Sequence, residues 1–388
     1  MINDYIALKE EREILHSPAF RRLKGKTQVF PYINQDLQVT ERMSHSLEVG
    51  VNARLILNLF QFKYNNIFDI NPIQLDNISK LHDIGHPPFG HAFERVANKL
   101  LKTDYIYFEG NAQNLRLIEE ENLELSTRTI VSLIKYPNKF TMNKNKGLYS
   151  SQYKRYIPKL IEEIRKQYLV LKENKKSSPI GEDFLKLLKL PNKINLFEIN
   201  NIKLIETLIL EASDDITYLT HDLKDYVLYI KDKRLEIKIP KELENNQYIL
   251  KLKNINKDNI DKKIKEIRDI LITDLYFNFK SYEIKFKSKE IKELKDFLIK
   301  YAEDNYIKYS NEKINSMINL EKYLKFLINN VENKDFINSY IREEKMKNKI
   351  NNTKSIKKKT KLLINYISLK TDKWLFKDYL NHLDLMKP

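Results

Sequence analysis

The chain has 388 residues, a hydrophobic fraction of 42%, no cysteine and a formal net charge of +16. That length allows one large domain or two ordinary ones, and the lack of cysteine excludes disulfides and thiolate metal sites. No apolar run approaches the roughly 20 residues of a membrane span, and the charged start MINDYIALKEEREIL lacks the apolar stretch of a secretory signal, so a cytoplasmic protein with no membrane contact is expected.

Only 7 glycines and 11 prolines punctuate the sequence, and most segments repeat their apolar residues with a 3.6-residue period, which argues an all-α protein. In chain order, Thr40 is the expected N-cap of a helix carrying His45, with Arg42 in its first turn. Asn71 and Pro72 read as the N-cap and first residue of the next helix, which runs to His82. Gly85, Pro87 and Pro88 break that helix, so His86 and Phe89 fall on a turn and a new helix begins near His91. Residues 203–230 read as one long helix. From 232 to 262 the pattern weakens: RLEIKIPKELENNQYILKLKNINKDN alternates briefly and contains a proline, as a short hairpin or a loop would. Helical periodicity returns in IDKKIKEIRDILITDLYFNF and continues to the end. The basic run 348–361 reads as a mobile loop or a solvated helix face. No internal repeat or clean linker is visible. The expected organisation is a catalytic core over 1–230 and a C-terminal helical region over 231–388 that completes the pocket.

Three of the seven histidines lie in the ten-residue stretch HDIGHPPFGH, from His82 to His91, with Asp83 beside the first. Neutral imidazole and carboxylate together hold a divalent cation. Successive helix residues point about 100° apart, so His82 and Asp83 reach one ion only where the helix is ending, as Gly85 and the prolines arrange. His45 and one carboxylate of the downstream pair Asp214–Asp215 would arrive from other helices, as in a bundle whose core faces one cavity. Two imidazoles and two carboxylates with open positions suit manganese, iron, magnesium, cobalt or nickel and argue against structural zinc. Taken singly, each residue has a plainer role: a hydrogen-bonded core histidine, a helix-end charge pair, a surface acid. Their order and the GHPPFGH tail favour the metal site. His16, His221 and His382 lack such company and read as structural or surface residues.

One His, then His-Asp, then a distant Asp is the ligand order of the HD phosphohydrolase superfamily, which this chain resembles. The blocks SPAFRRLKGKTQVFP (17–31), RMSHSLEVG (42–50), HDIGHPPFGHAFE (82–94), FEGNAQNLR (108–116), LSTRTIVSLIKYP (125–137) and EASDDITYLTHDLKD (211–225) resemble consecutive motifs of the deoxyguanosinetriphosphate triphosphohydrolase family. The resemblance is dense over 10–230 and thin afterwards. LLINYISLKTDKW (362–374) is similar to the family's late DYIAGMTD motif, with Asn365 in place of the Asp and Ser368, Leu369 and Lys370 in place of the small-and-Met segment.

The resemblance implies an all-α HD-domain bundle that cleaves a deoxynucleoside triphosphate into deoxynucleoside and intact triphosphate with a divalent metal, Mn²⁺, Mg²⁺ or Fe²⁺. It implies His45, His82, Asp83 and Asp214 as ligands. Asp214 is preferred to Asp215 because Asp214, Tyr218 and Asp222 reproduce the D-x3-Y-x3-D spacing of the related vertebrate HD-domain dNTPase, along one helix face. It makes His86, His91 and Glu94 the catalytic set; His91 and Glu94 are i, i+3, so the carboxylate can orient the imidazole. Gln28 and Arg42 match nucleotide-contacting positions, Tyr218 and Asp222 would read the sugar, and Lys135 and Tyr136 of KYP would also face the pocket. A homo-oligomer, dimer or hexamer, is implied, and single-stranded DNA is a further partner known for some members. The basic charge fits such anionic partners, and it also fits the Lys-, Ile- and Asn-rich composition that AT-rich genes encode. Another HD enzyme, a 5′-nucleotidase or phosphodiesterase, would share the ligands but not the RRLKGKTQVF and FEGNAQ blocks. A DNA-binding regulator with a vestigial site would not need all the site residues intact.

Overall fold

The computed structural model describes residues 2–28, 40–101, 108–135, 149–174, 203–229 and 237–386. Helices come in the order α1 (Ile2–His16), α2 (Pro18–Arg21), α3 (Arg42–Lys63), α4 (Pro72–Leu81), α5 (Gly90–Leu101), α6 (Gly110–Glu120), α7 (Thr127–Ser132), α8 (Tyr149–Asn174), α9 (Ile205–Tyr229), α10 (Gln247–Leu250) and α11 (Ile260–Thr273). A hairpin of β1 (Leu275–Asn278) and β2 (Glu283–Phe286) follows. Then come α12 (Lys289–Tyr301), a π-helical stretch Ala302–Ile307, α13 (Lys308–Met317), α14 (Leu320–Asn329), α15 (Lys334–Tyr340), α16 (Glu344–Asn351), α17 (Ile356–Ser368) and α18 (Asp372–Asn381). Among the described residues the protein is all-α apart from that hairpin and one isolated bridge, Thr27 to Glu41. No described helix is long and apolar enough to cross a membrane.

The 3.6-residue pattern decides which faces meet. On α3, Val49, Ala53, Ile56, Leu57 and Phe60 are fully buried, a stripe one helix face wide. They pack on α4 on one side and α9 on the other. Three apolar clusters result. One joins α3 and α9 to α11, the hairpin and α12. A second joins α1, α4, α6, α7 and α8. The third gathers α5 with α13 to α18. The HDIGHPPFGH turn lies where the second and third meet: Ile84 belongs to the second and Phe89 to the third.

Asn71 caps α4 as expected, its Oδ1 accepting from Ile73 N at 2.9 Å and Gln74 N at 3.1 Å, with Pro72 at the first position. Three expectations need correction. Thr40 does not cap α3; Glu41 occupies the N-cap without a side-chain bond. Thr40 instead donates from N and Oγ1 to the two oxygens of Asp225 on α9, each at 2.9 Å. A carboxylate taking two bonds outcompetes a local cap. The hairpin is at 275–286, and the described part of 234–259, from 237 on, holds a 3-10 turn, Lys241–Leu243, and α10 instead. Helical periodicity stops at Thr273 because LYFN alternates, Leu275 and Phe277 buried and Tyr276 and Asn278 half-buried, the two-residue period of a strand. Its register pairs Leu275 with Phe286 and Asn278 with Glu283, and the Asn278 side chain accepts from Lys280 N and Ser281 N to close the turn. Finally, the basic run 348–361 is exposed for most of its length but turns interior at its end. Lys354, Lys357 and Lys358 are exposed, but Lys359, Thr360 and Lys361 are buried on α17, carried in by the apolar face Leu363, Ile364 and Ile367.

Candidate metal centre

Helix α4 ends at Leu81, and His82 sits at its C-cap with φ −63° and ψ −24°. The turn that follows is tightly held. Asn114 of α6 accepts from Gly85 N at 2.7 Å and donates to His82 O at 2.5 Å. A Cβ at Gly85 would strike the Gly110 carbonyl and lie 2.6 Å from Asn114 N, so only glycine fits. Phe89 and Gly90 have φ of 56° and 49°, and a Cβ on Gly90 would come within 2.8 Å of Arg42 Nη2. Buried Asp372 accepts from Phe89 N and Thr27 N, both 3.0 Å. Lys26 Nζ donates to His86 O at 2.6 Å and Ser368 O at 3.0 Å. Burial, with Arg22 nearby, lowers the Lys26 ammonium to about 7.

Of the expected ligands, His45, His82 and Asp83 form one buried group, and Asp214 reaches the two histidines. His45 Nε2 is 2.9 Å from Asp214 Oδ1. His82 Nε2 is 3.4 Å from both Asp83 Oδ1 and Asp214 Oδ1, and it is buried with no hydrogen-bond partner among the described residues. His82 Nδ1 donates to Ser79 O at 2.6 Å, which leaves the Nε2 lone pair for a cation. Ligand atoms about 2.1 Å from one ion stand about 3 Å apart, close to the spacings seen here. The donor set therefore fits a divalent metal.

Each carboxylate has one oxygen toward this point and the other on a cation: Arg42 Nη1 lies 2.7 Å from Asp83 Oδ2, and Lys135 Nζ lies 2.7 Å from Asp214 Oδ2. Burial alone would raise both acids. For Asp83 the neighbouring His86, His82 and Arg42, and for Asp214 Lys135 and His82, hold them well below the ordinary range. Burial lowers His45. It also lowers His82, but Asp83 and Asp214 outweigh it and raise that imidazole.

A second group stands beside the first. His91 Nδ1 is 2.6 Å from Glu94 Oε2, and Glu94 Oε1 accepts from Gly110 N at 2.7 Å. His91 is mostly exposed, and its ring centroid is 5.7 Å from that of buried His86. His86 Nδ1 is 3.1 Å from Asp83 Oδ1; burial pushes its imidazole down to about 3.

Both groups border a cavity of about 370 Å³ whose lining includes Gln28, Arg42, Asp83, His86, His91, Lys135, Asp214 and Tyr218. The opposite wall is Ile307, Ser310, Asn311 and Ile314, from the π-helical stretch and α13. His45, His82 and Glu94 lie behind this lining. Asp215 sits at the rim and pairs with Lys295 at 2.6 Å. Asp222 does not line the cavity: it is buried beside the Tyr218 hydroxyl. Tyr136 falls outside the described residues. The sequence reading missed Lys26, Asn114 and Asp372, which hold the turn in place. It also set His221 aside. His221 in fact lies 3.4 Å from His45, Nδ1 to Nδ1. The signal was available, because 214 and 221 are i, i+7 and share a helix face.

The HD domain family model matches residues 42–168, a span that begins at Arg42 and includes His45, His82, Asp83, His86, His91 and Glu94. The chain is similar to the deoxyguanosinetriphosphate triphosphohydrolase-like protein of Vibrio parahaemolyticus, 31% identical over 57% of this chain and 53% of the relative. It is 31% identical to the one of Shewanella sediminis, over 57% and 52%, and 33% identical to deoxyguanosinetriphosphate triphosphohydrolase-like protein 2 of Deinococcus radiodurans, over 56% and 53%. The chain thus spans about half the length of the curated relatives it matches. With the HD residues gathered at one cavity and the helical fold in place, the chain carries an HD domain over residues 42–168 and is similar, over more than half of its length, to deoxyguanosinetriphosphate triphosphohydrolase-like proteins.

Proposed function

We propose that the protein is a metal-dependent dNTP triphosphohydrolase, acting on dGTP or several dNTPs and releasing deoxynucleoside and intact triphosphate. The observation that carries this reading is the meeting of His45, His82, Asp83 and Asp214 with the His86–His91–Glu94 group at one cavity. A divalent cation held by the first four, Mn²⁺, Mg²⁺ or Fe²⁺, supplies Lewis-acid neutralisation of phosphate charge. Arg42 and Lys135, already paired to the ligand carboxylates, add positive charge at the same wall. Water attacks the α-phosphorus and its oxygen leaves with the triphosphate as the bond to the 5′-oxygen breaks; that 5′-oxygen is a poor leaving group and needs a proton. In our reading His91 gives it from Nε2, while Glu94 holds Nδ1–H and stabilises the imidazolium. His86, kept neutral by burial, contributes hydrogen bonding to the α-phosphate. Gln28 offers the nucleotide a buried Oε1 with no partner among the described residues. Tyr218 packs on the sugar face, and a sugar hydroxyl reaching past it would be accepted by Asp222 beside it.

In this reading residues 1–230 provide the chemistry, and 231–388 close the pocket through Ile307, Ser310, Asn311 and Ile314. The assembly is a homo-oligomer, dimer or hexamer, and single-stranded DNA is an accompanying partner for the exposed lysines at 354, 357 and 358. The test is incubation with each dNTP and Mn²⁺, resolving triphosphate from pyrophosphate and phosphate. Deoxynucleoside with triphosphate is expected. Nucleoside monophosphate with pyrophosphate as the only products would place the chain in another reaction class.

A further inference from the structure

We infer that His221 and Glu48 form a positioning relay that fixes His45 as a metal-ligating imidazole. The inference rests on the metal reading above. His45 and His221 are both buried, at 0% and 3% exposure, and their rings meet edge to face at 5.5 Å and 66°. His221 Nε2 is 2.9 Å from Glu48 Oε2, and Arg268 Nη1 of α11 reaches the same oxygen at 3.0 Å. Burial would raise the Glu48 carboxyl, but the hydrogen bond from His221 and the Arg268 guanidinium hold it below the ordinary range.

The direction of the chain follows from its far end. An ionised carboxylate only accepts, so His221 Nε2 donates to Glu48. With its N–H at Nε2, His221 can accept at Nδ1, and His45 Nδ1 donates to it across 3.4 Å. That leaves His45 Nε2 as a lone pair facing Asp214 Oδ1 at 2.9 Å. Two acceptors at that distance are unfavourable unless a cation lies between them. His82 reaches the same state by a shorter route, Nδ1 donating to the Ser79 carbonyl. One imidazole is set by its own helix's backbone. The other is set by a side-chain chain that crosses from α3 to α9 and back.

The register makes this possible. His45 and Glu48 are i, i+3 on α3, and Asp214 and His221 are i, i+7 on α9, so each helix contributes one ligand and one relay residue. Neither relay residue, nor Arg268, lines the cavity. Changes there should act on metal affinity and leave the substrate contacts alone.

The test uses the full chain, stripped with chelator and titrated with MnCl₂, with free Mn²⁺ read by electron paramagnetic resonance. Wild type should show a site that His45→Ala removes. His221→Phe should weaken it about 10–100-fold, the usual cost of losing such an outer partner. His221→Gln, whose Oε1 can accept from His45 Nδ1, should recover most of that loss. KM for dNTP at saturating Mn²⁺ should stay unchanged in both. A folded His221→Phe that binds Mn²⁺ as tightly as wild type overturns the relay, as does a Gln variant that loses as much as Phe. If His221→Phe does not fold, Glu48→Leu on the half-exposed end decides it: weaker Mn²⁺ binding supports the relay and an unchanged affinity overturns it. A wild type with no Mn²⁺ site sensitive to His45→Ala overturns the metal reading itself, which separates the two failures.

Discussion

Two adjacent aspartates, 214 and 215, have opposite surroundings. Asp214 Oδ1 faces His45 and His82 inside the core, while the half-exposed Asp215 pairs with Lys295. Asp214→Ala is expected to abolish Mn²⁺ binding, and with it the stabilisation that a ligand bound only to the folded state gives, about 2.7 kcal/mol at a hundred times Kd. Asp215→Ala should keep both, because a surface ion pair is worth about 0–1 kcal/mol. Thermal unfolding with and without Mn²⁺ reads this directly, and the reverse pattern would refute the assignment of Asp214. His91 is different in kind: exposed, outside the ligand group, and oriented by Glu94. His91→Ala should retain the metal and lose about 10²–10⁴-fold in kcat. Turnover equal to wild type would remove His91 from the mechanism.

Among the elements, the tie between the start of α3 and α9 carries a pH dependence. Asp225 is buried and accepts from Thr40 N and Oγ1. Burial raises its carboxyl to about 6 from 3.8, against the two Thr40 bonds. Between these values the folded chain keeps a proton that the unfolded chain has released, so this group's contribution to stability falls as pH rises through the window and is lowest above about 6. Asp225→Asn keeps an acceptor for Thr40 and removes the titration. The variant should therefore gain on wild type, on the order of 1–3 kcal/mol, on going from pH 4 to pH 8. Urea unfolding of metal-free protein at both values measures it; an equal difference at the two pH values would contradict the sign.

For the whole molecule, the outer faces of α1 and α3 flank α4 and are unusually apolar. Leu47, Val51 and Leu55 repeat at i, i+4, i+8 on α3 and are exposed, Phe62 is 87% exposed, and Tyr5 and Leu8 are exposed on α1. A stripe of that kind is stabilised by burial against a second copy. Sedimentation at micromolar protein, with and without dNTP, should show an assembly larger than the 46.5 kDa chain, and Val51→Glu should shift it toward monomer. A fully active wild-type monomer would contradict the homo-oligomer.

The sequence by itself determined the helical class, the Asn71–Pro72 start of α4, the helix break at Gly85 and the long helix α9, because capping, proline geometry and the 3.6-residue period are local. Its resemblance to a known family named the candidate site residues, of which the structure brings His45, His82 and Asp83 together and sets His91 on Glu94. Only the tertiary structure decided what Thr40 bonds, where the hairpin falls, that Lys359 and Lys361 are interior, that Asp222 does not line the cavity, that Lys26, Asn114 and Asp372 hold the turn, and that His221 lies beside His45. Each of these depends on which distant group arrives opposite a residue. That is fixed by the packing of α3, α4, α9 and α17, and the burial that turns a lysine or an aspartate into a positioned, perturbed group exists only once those helices have met.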